Sequence, residues 1–162
     1  MSANESTDFQ TERVAGVRLV PGPSRNLRSL QSEVRIRIET LDDIVAARRR
    51  DREIAAQLGF SNCDLTLIAT AISEIARNAV EYATGGDIVL TSIKEGTKRG
   101  LKIVVSDQGP GIAGVPTVMR DGYSSGAGLG IGLPGARRLV DDFEINSELG
   151  KGTVVTMKKW VA

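Results

Sequence analysis

Glu74 and Asn78 lie four residues apart in a stretch of helical periodicity, so one helix face carries a carboxylate beside an amide. A carboxylate can accept a proton and an amide oxygen can hold a hard cation, so the pair can address one small object. A solvated polar stripe is the other reading of the same spacing. Asp107-Gln108-Gly109-Pro110-Gly111 follows an apolar strand. Asp107 stands at i+2 from Val105 and so shares the inward face of Leu101, Ile103 and Val105. A carboxylate aimed at a core needs a partner. A ligand amine would serve, and so would the amides of the turn itself. The bare backbone at Gly109 and Gly111 admits a flat ligand. Further on, Gly126-Ala127-Gly128-Leu129-Gly130-Ile131-Gly132 sets glycine at every second position. Such a run packs poorly as a strand but can present successive N–H groups to an anion. A helix predicted from Leu133 adds the positive end of its dipole. Ser124 and Ser125 lead into the run with hydroxyls able to donate to phosphate. A plain flexible linker is the alternative. Taken together, the three stretches are the equipment of a nucleotide site.

The elements that must position these residues are legible from periodicity and caps. Residues 1–32 read as a flexible N-terminal extension, polar and broken by Pro21-Gly22-Pro23-Ser24. Val14, Val17, Leu19 and Val20 are its candidates for docking to a partner. Residues 33–162 read as one domain. Val34, Ile36 and Ile38 alternate with Arg35, Arg37 and Glu39 as a half-buried strand. Thr40, with Asp43 three positions later, starts a helix that stops at Gly59. The run Arg48-Arg49-Arg50-Asp51-Arg52 on it reads as a solvated face, with a partner-facing role as the second reading. Ser61 or Asn62 caps a second helix reaching about Ala83. Its stripe of Leu65, Ile68, Ile72, Ile75 and Ala79 stands apart from Glu74, Asn78 and Glu81. A strand over Ile88–Ile93, a loop from Gly96 to Gly100 and a strand from Leu101 follow. A short helix is expected around Pro116–Asp121, a helix over Leu133–Asp142, and strands over Phe143–Glu148 and Thr153–Trp160. This order predicts an α+β, two-layer sandwich with helices on one face of a mostly antiparallel mixed sheet.

Composition narrows the function. The sequence has no histidine, which removes His-based catalysis, His ligands and a phosphohistidine on these residues. Net charge is +1, so bulk charge does not point to nucleic acid. No stretch approaches the roughly 20 apolar residues of a membrane span, and the polar start does not resemble a signal peptide. The single Cys63 cannot form an internal disulfide, which suits a cytoplasmic setting; it reads as a helix-start residue more readily than as a reactive thiol. Gly130-Ile131-Gly132-Leu133-Pro134-Gly135 fits G-x-G-x-x-G but lacks a preceding strand, and Gly150-Lys151-Gly152-Thr153 is no P-loop.

The stretches Glu74-Ile-Ala-Arg-Asn78, Asp107-Gln-Gly109-Pro-Gly111, Gly126 to Leu133 and Gly150-Lys-Gly152-Thr153 resemble, in order, the N, G1, G2 and final glycine-threonine motifs of the GHKL (Bergerat-fold) ATPase/kinase superfamily. The likeness covers roughly residues 33–160. Within it, TLDDIVAARRR, ISEIARNAVEYA, KIVVSDQGPGI and MRDGYSSGAGLGIGLPGARRLVDDFEINS resemble the RsbT-like serine/threonine kinases, which are similar in fold to anti-sigma factors. The resemblance implies ATP and Mg²⁺ as ligands. It implies Glu74 as general base, Asn78 as the magnesium ligand, and Asp107, aided by Thr153, on the adenine amino group. Gly109 and Gly111 would shape the adenine pocket, while Gly126, Gly128, Gly130 and Gly132 would close over phosphates. It implies STAS-domain antagonist proteins as substrates and a PP2C-type phosphatase as a further partner. The competing expectation is a non-catalytic, nucleotide-dependent binding switch. An ATP hydrolase fits less well, since no transducer domain is expected after Trp160, and a sensor histidine kinase lacks its acceptor histidine.

Overall fold

A computed structural model describes residues 32–120 and 132–162, together with two short strands, β1 (Arg13–Val14) and β2 (Val17–Arg18), which pair antiparallel. The rest of the extension and residues 121–131 lie outside the described residues. Those include Ser124, Ser125, Gly126, Gly128 and Gly130, and with them the expected anion loop.

The main sheet has five strands in the order β3 (Glu33–Ile38), β4 (Gly86–Glu95), β5 (Lys98–Asp107), β7 (Gly152–Trp160), β6 (Asp142–Glu148). All four pairings are antiparallel, so the mostly antiparallel expectation holds without a parallel member. The β4–β5 turn is tighter than expected. Lys98, Arg99 and Gly100 pair with Glu95, Lys94 and Ile93 inside the ladder, leaving two residues in the turn. The inward side chains of Val34, Ile36, Ile38, Ile88, Leu90, Leu101, Ile103, Val105, Val155 and Met157 are buried and form the core with the helices. Alternate positions on the other face, such as Arg35 and Arg37, stand in solvent, as a one-sided sheet requires.

Helix α1 (Leu41–Leu58) begins at a capping box: the Thr40 hydroxyl accepts from the Asp43 N–H, and the Asp43 carboxylate accepts from the N–H groups of Glu39 and Thr40 at 2.8 and 2.9 Å. Gly59, at φ 94°, closes it: its N–H reaches Ala56 O, and the N–H of buried Phe60 reaches Ala55 O. The buried stripe of α1 is Ile44, Ala47, Asp51, Ile54 and Ala55. Asp51 therefore corrects the solvated-face reading of the arginine run. Arg48, Arg49 and Arg52 are exposed, while Asp51 is fully buried with neither carboxylate oxygen hydrogen-bonded. Burial alone pushes its carboxyl from 3.8 up to about 7.

Helix α2 (Asn62–Tyr82) is capped by Ser61, and its apolar stripe lies on the core. A one-turn helix α3 (Val115–Val118) precedes residues 121–131, and α4 (Gly132–Leu139) follows them with Pro134 in its first turn. α4 is shorter than expected at its C-terminal end, because Asp142 already belongs to β6.

Candidate nucleotide site

The polar stripe of α2 does not face open solvent. Glu74, Arg77 and Asn78 are half-buried, whereas Glu81, one turn on, is exposed. Glu74 stands between two helices. Its Oε1 accepts from Arg77 Nη1 at 3.2 Å, and its Oε2 accepts from the backbone N–H of Gly132, the first residue of α4, at 3.3 Å. The carboxylate is thus held at a helix N-terminus, where backbone amides and the dipole favour an anion. Among the described residues Asn78 has no side-chain hydrogen-bond partner, and its amide lies one turn from Glu74. That donor suits Mg²⁺, which takes few protein ligands and completes its shell with water and phosphate oxygens.

The second part of the site is built at the end of β5. Asp107 pairs across the ladder with Gly86 on one side and Thr153 on the other. It is half-buried, less enclosed than a core position. Its Oδ1 accepts from the Gly109 N–H at 2.9 Å, so the turn does satisfy one oxygen, as the plain-turn reading supposed. Among the described residues Oδ2 has no such partner, so it is able to accept from a ligand amine. Thr153 shares its hydroxyl with Ser147 at 2.8 Å, and Ser147 Oγ also accepts from the Ile112 N–H at 2.8 Å. Ser147 thereby ties the turn after Asp107 to the β6–β7 hairpin. A serine inside an alternating strand gives no sequence sign of that role.

Backbone contacts bring these parts together. A Cβ at Gly109 would lie 2.6 Å from the Ala83 Cβ, so the glycine turn rests directly on the end of α2. At Gly152, where φ is 94°, a Cβ would lie 2.1 Å from the carbonyl oxygen of Asp107. The Gly150 N–H donates to Pro110 O at 2.9 Å. Glu74 and Asn78 on α2, Asp107 and Gly109 after β5, Thr153 on β7 and Gly132 at α4 therefore belong to one region. Ala83 and Gly86 were missed in the sequence because their importance is a distance between chain segments. Arg77 carried a signal, an arginine at i+3 from Glu74.

These parts belong to one two-layer α+β domain, with helices over one face of a five-stranded antiparallel sheet. Residues 39–159 match the family described as the histidine kinase-like ATPase domain, and the chain belongs to that family. It is 49% identical over 126 residues to the serine/threonine-protein kinase RsbT of Bacillus subtilis (strain 168), covering 78% of this chain and 95% of the relative. Likeness at this level across nearly the whole relative makes the chain an ATP-using kinase of that family. It is also 33% identical over 98 residues to an anti-sigma F factor of Clostridium acetobutylicum, covering 57% of this chain and 67% of the relative. A solved structure of the RsbU and RsbW domains of Rv1364c from Mycobacterium tuberculosis superposes with a TM-score of 0.55 at 26% identity. That match covers 88% of this chain, which spans one third of the solved chain's length. Among the described residues no helix is long and apolar enough to cross a membrane, and no cluster of three or more acidic or cysteine side chains could hold a metal by itself.

Proposed function

We propose that this kinase transfers the γ-phosphate of ATP to a serine or threonine hydroxyl of a small STAS-domain antagonist protein in a cytoplasmic partner-switching pathway. The observation that carries the reading is the place of Glu74, hydrogen-bonded to the first amide of α4 at 3.3 Å. A pure binding module needs no carboxylate at that point, which an approaching phosphate would find repulsive. In the proposed reaction Glu74 takes the proton of the acceptor hydroxyl. The hydroxyl oxygen then attacks the γ-phosphorus, and ADP departs with the electron pair of the broken bond. Asp107 accepts from the adenine amino group through Oδ2, with Thr153 beside it, and Gly109 and Gly111 shape the pocket by letting the turn lie against Ala83 and Glu148. Asn78 would hold Mg²⁺, which would supply positive charge against the phosphate oxygens. The roles of Ser124, Ser125 and the glycines at 126, 128 and 130 rest on the sequence resemblance.

The likeness to anti-sigma F factors favours a second reading, a nucleotide-dependent switch whose output is capture of a protein, including a PP2C-type phosphatase. One experiment separates the two. The protein is incubated with labelled ATP, Mg²⁺ and a purified STAS-domain protein. Label on the partner, reduced about 10²–10⁴-fold in Glu74→Gln while ATP binding persists, is expected. Partner binding without label transfer from the wild-type protein would establish the switch instead.

A further inference from the structure

Glu74 is held from both sides. Arg77, one turn along α2, donates to Oε1, and Gly132 of α4 donates to Oε2. The Glu74 side chain is 13% exposed and that of Arg77 39%. Resting on the phosphoryl-transfer reading above, we propose that this clasp is the resting state of the base and that Arg77 is its positioning residue. Nucleotide phosphate takes the Gly132 N–H from Oε2, while Arg77 keeps Oε1 and leaves Oε2 turned to the acceptor hydroxyl.

The physical case has three parts. A single N–H has one hydrogen, and a carboxylate and a phosphate that compete for it at one helix N-terminus also repel each other. The bond to be exchanged is long, beyond the usual 2.7–3.2 Å range of an N–H···O bond, so it yields without opposing nucleotide strongly. A glutamate released from both partners would spread over its rotamers, and ordering it again would cost entropy in every turnover. The ion pair with Arg77 is local to α2 and does not depend on α4, so it survives the exchange. In the chemical step the hydroxyl proton moves to Oε2, the oxygen–phosphorus bond forms, and the bond to ADP breaks.

The clasp is testable without activity. Without nucleotide, the amide-proton signal of Gly132 is expected to move upfield in Glu74→Ala, where the N–H loses its acceptor, whereas Mg–ADP in wild type exchanges that acceptor for phosphate and leaves the N–H hydrogen-bonded. By calorimetry, ADP should bind Glu74→Ala about threefold to tenfold more tightly than wild type, with adenosine binding unchanged, because only phosphate competes with the carboxylate. In turnover, Arg77→Met should lower kcat about tenfold or more with KM for ATP within about twofold, and Arg77→Lys should recover part of it. A Gly132 signal unmoved in Glu74→Ala, an ADP affinity no tighter than wild type, or an Arg77→Met defect confined to KM overturns the proposal. Failure of wild type to bind ADP would instead remove the nucleotide reading, with the Gly132 signal still reporting whether the clasp exists.

Discussion

Asp51→Asn is expected to abolish a pH dependence of stability that the wild-type protein carries between about pH 4 and pH 7. The Asp51 carboxylate is buried in the middle of the core face of α1 with both oxygens unpaired. Burial raises its carboxyl from 3.8 to about 7. The folded protein therefore keeps this proton at pH values where the unfolded chain has released it. Stability is complete below the unfolded value, falls as pH rises through the window, and levels off above the folded value. A gap of about 3 pH units, at about 1.4 kcal/mol per unit, corresponds to about 4 kcal/mol. That is a large part of the roughly 5–15 kcal/mol by which a domain of this size is stable. Asparagine has nearly the same shape and no charge to bury, so the variant should match wild type only near about pH 4 and below, and exceed it increasingly up to pH 8. Urea unfolding at pH 5, 6, 7 and 8, followed by circular dichroism and Trp160 fluorescence, measures the difference. With m near 1–3 kcal/mol/M, the midpoints at pH 8 should separate by more than about 1 M. A constant separation of the two midpoints from pH 5 to pH 8 would refute the assignment of a buried, titrating Asp51.

The Asp43 carboxyl is held below its ordinary value, chiefly by the N–H of Glu39, so its stabilisation is present above about pH 4 and is lost as acid protonates it. Asp43→Ala should cost about 1 kcal/mol at pH 7, and melting curves should show the gap to wild type shrinking at pH 3; an equal gap at both pH values would exclude the capping box as its cause. Gly152→Ala combines a positive φ with a Cβ 2.1 Å from the backbone oxygen of Asp107, so neither side can yield. A loss of about 2–4 kcal/mol in stability is expected, and an unchanged melting temperature would contradict the close approach of β7 to β5. Gly109→Ala should weaken ATP binding by pushing the turn away from Ala83, and adding Ala83→Gly should restore much of it, since the clash is between those two positions. Calorimetric titration of the four proteins closes that cycle, and strict additivity would rule the contact out.

What was legible in the sequence was what local chemistry decides. The ends of α1 follow from Thr40, Asp43 and Gly59, whose hydrogen bonds reach no further than one helical turn. The strands follow from period-two alternation against a single core. The start of β5 was not legible: Lys98, Arg99 and Gly100 are polar or bare and look like loop, yet the tight turn draws them into the ladder. Asp51 was misread for the opposite reason. Its position, four after Ala47 and three before Ile54, is that of the buried stripe, but its residue type and its arginine neighbours argued for solvent. Period outweighed type because a helix cannot turn one residue outward without turning its neighbours.

The polar seam between α2 and α4 follows from the same rule applied to a helix with two neighbours. α2 buries Ala71, Ile72, Ile75, Ala76 and Ala79 in the core, which fixes its rotation. Glu74, Arg77 and Asn78 are thereby carried to the flank that meets the start of α4, and packing alone would favour apolar residues there. At this flank the Gly132 N–H instead meets the Glu74 carboxylate in one long hydrogen bond, while Leu133 and Ala136 of α4 are buried in the core. A carboxylate placed where two helices meet, held by bonds weak enough to exchange, is a poor way to join them. The arrangement leaves the carboxylate available for the proton-accepting role in the proposed transfer. The core of α2 sets the position, and the chemistry of the flank is left free for function.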